Sequence, residues 1–134
     1  MQAYHAKMLD LANALNNVET SFDETNLEAL RVAYQEAYLA YQAVAIHNYF
    51  ATPNLNLVNT TNLYPIDTEL LTDLIESRSY AFSTSAQERA NGFPVIDFML
   101  YGSEDVLSYF KDDNKRLAFL KALVSDMKLK ADAL

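Results

Sequence analysis

The chain has 134 residues, no cysteine, only two glycines and three prolines, and a formal net charge of −8. That length fits one domain, and so few turn formers beside plentiful Ala, Leu, Glu, Gln, Lys and Met favour long helices over a sheet. The charge argues against nucleic acid, which needs clustered Lys and Arg, and no run approaches the roughly eighteen apolar residues of a membrane span.

Tyr4, Met8, Leu11, Leu15, Val18 and Phe22 step alternately by four and three, the apolar stripe of a first helix. Thr25-Asn26-Leu27-Glu28 offers a capping box for a second helix over about residues 26–50. Along it Leu27, Leu30, Tyr34, Ala37, Tyr38, Tyr41, Val44, Ala45 and Asn48 share one broad face. The tyrosines there are expected in the core rather than as a ligand-stacking wall. A second stripe, Val32, Leu39 and Ile46 at strict seven-residue spacing with Ala43 beside it, lies well round the cylinder. Two apolar faces imply two neighbours, so this helix is expected to be central in the bundle or to face a further partner through Val32, Leu39 and Ile46.

Residues 51–66, rich in Asn and punctuated by leucines, read as an ordered loop. Asp67 then predicts the N-cap of a short helix through Leu70, Leu71, Leu74 and Ile75. Ser85-Ala86-Gln87-Glu88 is another capping-box pattern, opening a short helix that Gly92 ends. A further helix is expected from Pro94, at its first position, to Tyr101, with Asp97 in the first turn. Gly102-Ser103 stops it and caps a turn containing Val106, Leu107 and Phe110. The last helix starts near Asp112 or Asp113, and Leu117, Leu120, Val124, Met127, Ala131 and Leu134 form its stripe. The stripe is still in phase at Leu134, which predicts a natural chain that continues, or a piece of a larger protein. The fold expected is an all-α, up-and-down bundle of about four main helices plus short accessory ones, a single domain over residues 1–134.

The most informative stretch is Gly92-Phe93-Pro94-Val95-Ile96-Asp97-Phe98-Met99-Leu100-Tyr101-Gly102. It resembles the signature of imelysin-like proteins of the bacterial cell envelope, Gly-x-His-x-x-Glu followed by an aromatic, two apolar residues, an aromatic and Gly. The helix with Tyr34 and Tyr41 a heptad apart, and Asn62-Leu63-Tyr64-Pro65-Ile66-Asp67, resemble further parts of the family pattern. The resemblance covers roughly residues 20–134 here and the first half of a typical member, which has two facing helical bundles.

The resemblance implies a periplasmic or outer-surface envelope protein linked to iron uptake, with a lipid anchor outside this chain. It implies a second helical-bundle half or another protein subunit as partner, and a peptidase activity was attached to the founding member. Iron or another divalent metal is implied by the family only; the residues themselves make no cofactor evident. Carried over position by position, Gly92 keeps the family's glycine, Pro94 stands in the His place and Asp97 in the Glu place. Asp97 is thus the one metal-ligand candidate, and the family's acidic position late in the second helix falls near Ala45 or Ile46, both apolar.

Other candidates are few. His5 and His47 read as surface or rim residues, and Ser83, Ser85, Ser103 and Ser108 have no base in view for nucleophilic catalysis. No His-Glu-x-x-His and no Gly-rich phosphate loop occurs. No catalytic residue is therefore assigned. The expected role is non-catalytic binding in iron uptake, with a metallopeptidase of the imelysin type and a helical protein-interaction module as alternatives.

Overall fold

A computed structural model of the chain describes residues 2–51, 66–78 and 92–132, and the side chains of 3–43, 66–78 and 92–132 within them. Expectations about the 51–66 loop beyond its ends, the helix opened by Ser85, the side chains of Val44, Ala45, Ile46, His47 and Asn48, and Leu134 lie outside the described residues. What is described is all helix: α1 (Gln2–Thr20), α2 (Glu24–Ala51), α3 (Thr68–Ser77), α4 (Phe93–Tyr101), α5 (Val106–Asp112) and α6 (Asn114–Asp132).

α1 is the middle stave. Of its predicted stripe, Tyr4, Met8, Leu11, Leu15 and Val18 are buried, whereas Phe22 falls past the end of the helix and is half-buried. The partners of α1 run antiparallel on either side. Lys7 reaches Glu36 of α2 at 3.4 Å, and Tyr4 meets Tyr41 with ring centroids 5.9 Å apart. On the other side His5 Nε2 lies 2.7 Å from Asp132 of α6, while Lys121 pairs with Glu19. Partly exposed pairs of this kind contribute roughly 0–1 kcal/mol each, so burial of the stripes holds the three staves and the ion pairs select their register. α6 buries Phe119, Leu120, Leu123, Val124, Met127 and Ala131. Its stripe is thus broader than the seven-residue spacing predicts, because Phe119 and Leu123 widen it toward the neighbouring short helices. His5 is exposed, as expected for a surface residue, and it also joins the ends of α1 and α6 through Asp132.

The caps explain where helices start, and two differ from expectation. α2 begins at Glu24, and its N-cap is Asp23, whose Oδ1 accepts the Asn26 amide at 2.8 Å. The capping box expected at Thr25 is displaced because an aspartate two residues earlier is a better acceptor for the orphan amides of the first turn. Asn26 Nδ2 also donates to the Ser21 carbonyl at 2.7 Å, which fixes the turn between α1 and α2. Likewise α5 is capped by Asp105 and not by Ser103. Asp105 accepts from the Ser108 amide at 3.2 Å and the Ser108 hydroxyl at 2.9 Å. Those bonds hold the Asp105 carboxyl below the usual carboxylate range. Asp67 caps α3 as predicted, accepting from Leu70 at 3.0 Å. Asp113 opens α6, accepting the Lys115 amide at 3.0 Å.

The short helices pack onto the staves through rings and guanidinium groups. Phe22, just past α1, stacks on Phe110 of α5 at 5.2 Å. Arg116 of α6 donates to the Tyr109 carbonyl at 2.7 Å and lies 4.3 Å over that ring. α4 lies antiparallel beside α2, and this seam carries the motif.

Candidate functional site at the α2–α4 seam

Gly92 is the N-cap of α4 with φ 85° and ψ −167°, a backbone region that is essentially open to glycine alone. This turn lets the chain enter α4 directly in the core. Phe93, Pro94, Val95 and Ile96 are all buried, four consecutive residues, so the first turn is enclosed on every side. A buried helix start is costly because its first amides lack intrahelical partners. Val95 and Ile96 donate to the Gly92 carbonyl at 3.2 and 3.3 Å. Pro94 has no amide to satisfy. It is the second helical residue rather than the first, because Phe93 is already helical, and the physical benefit is the same.

Phe93 is the hub of the aromatic core. Its ring stacks on Tyr38 at 5.1 Å and lies 5.1 Å from Tyr41, 6.3 Å from Tyr34 and 6.4 Å from Tyr4. Tyr34 and Tyr41 are buried and Tyr38 half-buried, so the tyrosine stripe of α2 is core, as expected. Tyr4 is fully enclosed, and its hydroxyl has no hydrogen-bond partner among the described residues. Burial pushes its phenol well above the ordinary range, and the neighbouring Tyr41 adds to that.

Asp97 is exposed. Since α4 starts at Phe93, its first turn holds no acid, and Asp97 opens the second turn, where the helix-end field has faded. The expected stabilisation by the helix end gives way to a contact with α2: the Tyr34 hydroxyl donates to Asp97 Oδ1 at 3.4 Å. At the far end of α4, Arg31 of α2 donates through Nε (3.2 Å) and Nη2 (2.9 Å) to the Leu100 carbonyl. It also lies 4.9 Å over the Tyr101 ring. A cation on the last carbonyls of a helix is favoured by both hydrogen bonding and the dipole. Gln35 Nε2 donates to the Tyr101 hydroxyl at 2.9 Å. α2 therefore grips α4 with Arg31, Tyr34, Gln35 and Tyr38, spaced along one edge of the helix.

Two of the three motif positions thus have backbone roles and the third a side-chain role. Gly92 supplies a conformation, Pro94 removes a donor, and Asp97 accepts from Tyr34. The metal that the motif implies does not fit these residues. Pro94 offers no ligating atom, and Asp97 supplies one carboxylate where a hard or borderline cation wants several oxygen or nitrogen ligands. Among the described residues no three His, Asp or Glu side chains come together to hold an ion. His5 is engaged with Asp132 at the α1–α6 junction, and among the described residues the Ser108 hydroxyl donates to the Asp105 cap.

The expected partner-facing stripe borders this seam at Gln35. Val32 and Leu39 are exposed, 45% and 67% respectively, and Ala43 is exposed beside them. Arg31 and Gln35 were not singled out from the sequence. Their four-residue spacing beside Tyr34 and Tyr38 is the signal that marks them, legible once α4 is known to lie there.

The family model described as Imelysin matches residues 1–134. No curated protein matches the chain, and no solved structure does.

Proposed function

The chain belongs to the imelysin family, and from that premise we propose that it serves iron acquisition at the bacterial cell envelope by binding and not by catalysis. The observation that carries this reading is the conversion of the His place into Pro94, buried in the first turn of α4, with Asp97 left as a single exposed carboxylate held by Tyr34. A zinc peptidase needs several protein ligands and a base to activate water, and the described residues of the seam supply neither set. A periplasmic or outer-surface location, with a lipid anchor outside this chain, follows from the family resemblance. It is compatible with the described helices, none of which is long and apolar enough to cross a membrane. The working part in this reading is a surface: the exposed Val32–Leu39 face of α2, turned toward a second helical-bundle half or another protein subunit.

Elemental analysis of purified protein together with a peptide-cleavage screen tests the proposal. The expected result is substoichiometric iron and zinc, and no cleavage. One tight equivalent of either metal per chain, lost in Asp97→Ala, would restore the metallopeptidase reading.

A further inference from the structure

The outer face of α2 carries more information than its exposed apolar residues. At about 100° per residue, Val32 and Leu39 fall nearly opposite Leu30, Tyr34, Ala37 and Tyr41, the residues that α2 buries. The face is therefore distinct from the core contact, and it borders the α4 seam at Gln35. Toward the start of the helix it continues as a shallow groove of about 600 Å³ lined by Glu24, Thr25, Glu28, Ala29 and Val32. An apolar floor edged by carboxylates matches one kind of side chain well: a Lys or Arg whose alkyl stem lies on the floor and whose head meets the acid.

Among the described residues the cations meet this edge only in part, through the Arg31–Glu28 pair. Arg31 spends its guanidinium on the Leu100 carbonyl and reaches Glu28 only at 3.9 Å. Lys7 is shared between Asp10 at 3.9 Å and Glu36 at 3.4 Å. Glu24 makes no ion pair among the described residues. A second copy of the chain would bring the same carboxylates and another net charge of −8. An anionic lipid surface would be repelled in the same way.

We propose that this face seats a basic amphipathic helix of a partner protein, its apolar side chains on Ala29, Val32 and Leu39 and its Lys or Arg residues against Glu24 and Glu28. The seat runs from Glu24 to Leu39, about 22 Å of helix axis, so it takes an occupant of about four turns. This deepens the reading of the chain as a binding protein by naming the partner's chemistry, and it rests on that reading.

The probe is a synthetic helical peptide of about 16 residues with leucines at alternating three- and four-residue spacing and lysines on the flanks. Its twin carries glutamates in place of the lysines. Binding to the whole protein is read by fluorescence anisotropy at low salt and at high salt. The lysine peptide should bind, weaken about tenfold or more with Leu39→Asp or with Glu24→Gln/Glu28→Gln, and weaken as salt rises. The glutamate twin should not bind. Leu39 is exposed, so Leu39→Asp should keep the wild-type melting curve, which confirms that the loss is local.

No binding of the lysine peptide, equal binding of the twin, or binding indifferent to both variants overturns the proposal. A concentration-dependent dimer in sedimentation that Leu39→Asp abolishes also overturns it, by giving the face to a second copy. The metal and cleavage measurements are independent of all these outcomes, so failure of the partner and failure of the binding role are read separately.

Discussion

Replacing Gly92 by alanine asks whether the motif glycine is there for conformation or for chemistry. Its φ of 85° and ψ of −167° lie where a Cβ is strained whatever space surrounds it, at a cost on the order of 1–3 kcal/mol. For a domain of this size the unfolding entropy near the midpoint is about 0.28 kcal/mol/K, so the expected drop in Tm is about 4–11 °C. Escape is blocked, because the next four residues are buried and Val95 and Ile96 take the Gly92 carbonyl. A second variant sharpens the test. Asparagine tolerates the left-handed helical region, but ψ here lies far from it, so Gly92→Asn should be no milder than Gly92→Ala. Differential scanning calorimetry on the three proteins provides the comparison. A Gly92→Ala protein that melts with wild type, or an asparagine variant that rescues it, refutes the conformational account.

Two other perturbations bear on the same core. Arg31→Gln removes the charge-assisted bonds to the Leu100 carbonyl and should cost about 1.5–3 kcal/mol in urea unfolding; unchanged stability would show that the guanidinium is dispensable to α4. Tyr4→Phe removes a buried hydroxyl that has no partner among the described residues while keeping its ring contacts, and should stabilise the protein by about 1 kcal/mol. The sign of its pH dependence follows from burial. The Tyr4 phenol is raised above its ordinary 10.0 in the folded state, so its contribution is intact below pH 10 and fades as pH climbs toward the folded value. Tyr4→Phe should therefore flatten the alkaline loss of stability, and a variant less stable than wild type at neutral pH would show that the hydroxyl is bonded after all.

Much of this was legible before any coordinates. The α1 stripe can be read residue by residue because an isolated three-four spacing has a single helical solution. The outer stripe of α2 was legible for the same reason, since seven-residue spacing fixes its direction relative to the buried tyrosines. Caps were less secure. Asp23 and Asp105 outcompete Thr25 and Ser103, and a sequence holding several acceptors within three residues does not announce which one wins. The seam was not legible at all. Arg31 reaches a carbonyl 69 residues away, and no local pattern encodes which helix end a guanidinium will find. The motif showed that Pro94 could not ligate, but only the burial of all four residues after Gly92 reveals what the proline does there.

α1 pairs with both α2 and α6, and the two pairings differ in how much chain each must close. The Lys7–Glu36 contact spans 29 residues and the Lys121–Glu19 contact spans 102. Loop closure at the longer separation costs about 1 kcal/mol more in chain entropy. Chain entropy thus favours closing the α1–α2 hairpin before α6 docks on α1. Until it does, the buried side of α1 that awaits α6 stays open to water. The same helix that centres the finished bundle is the one most exposed to misassembly while the bundle forms.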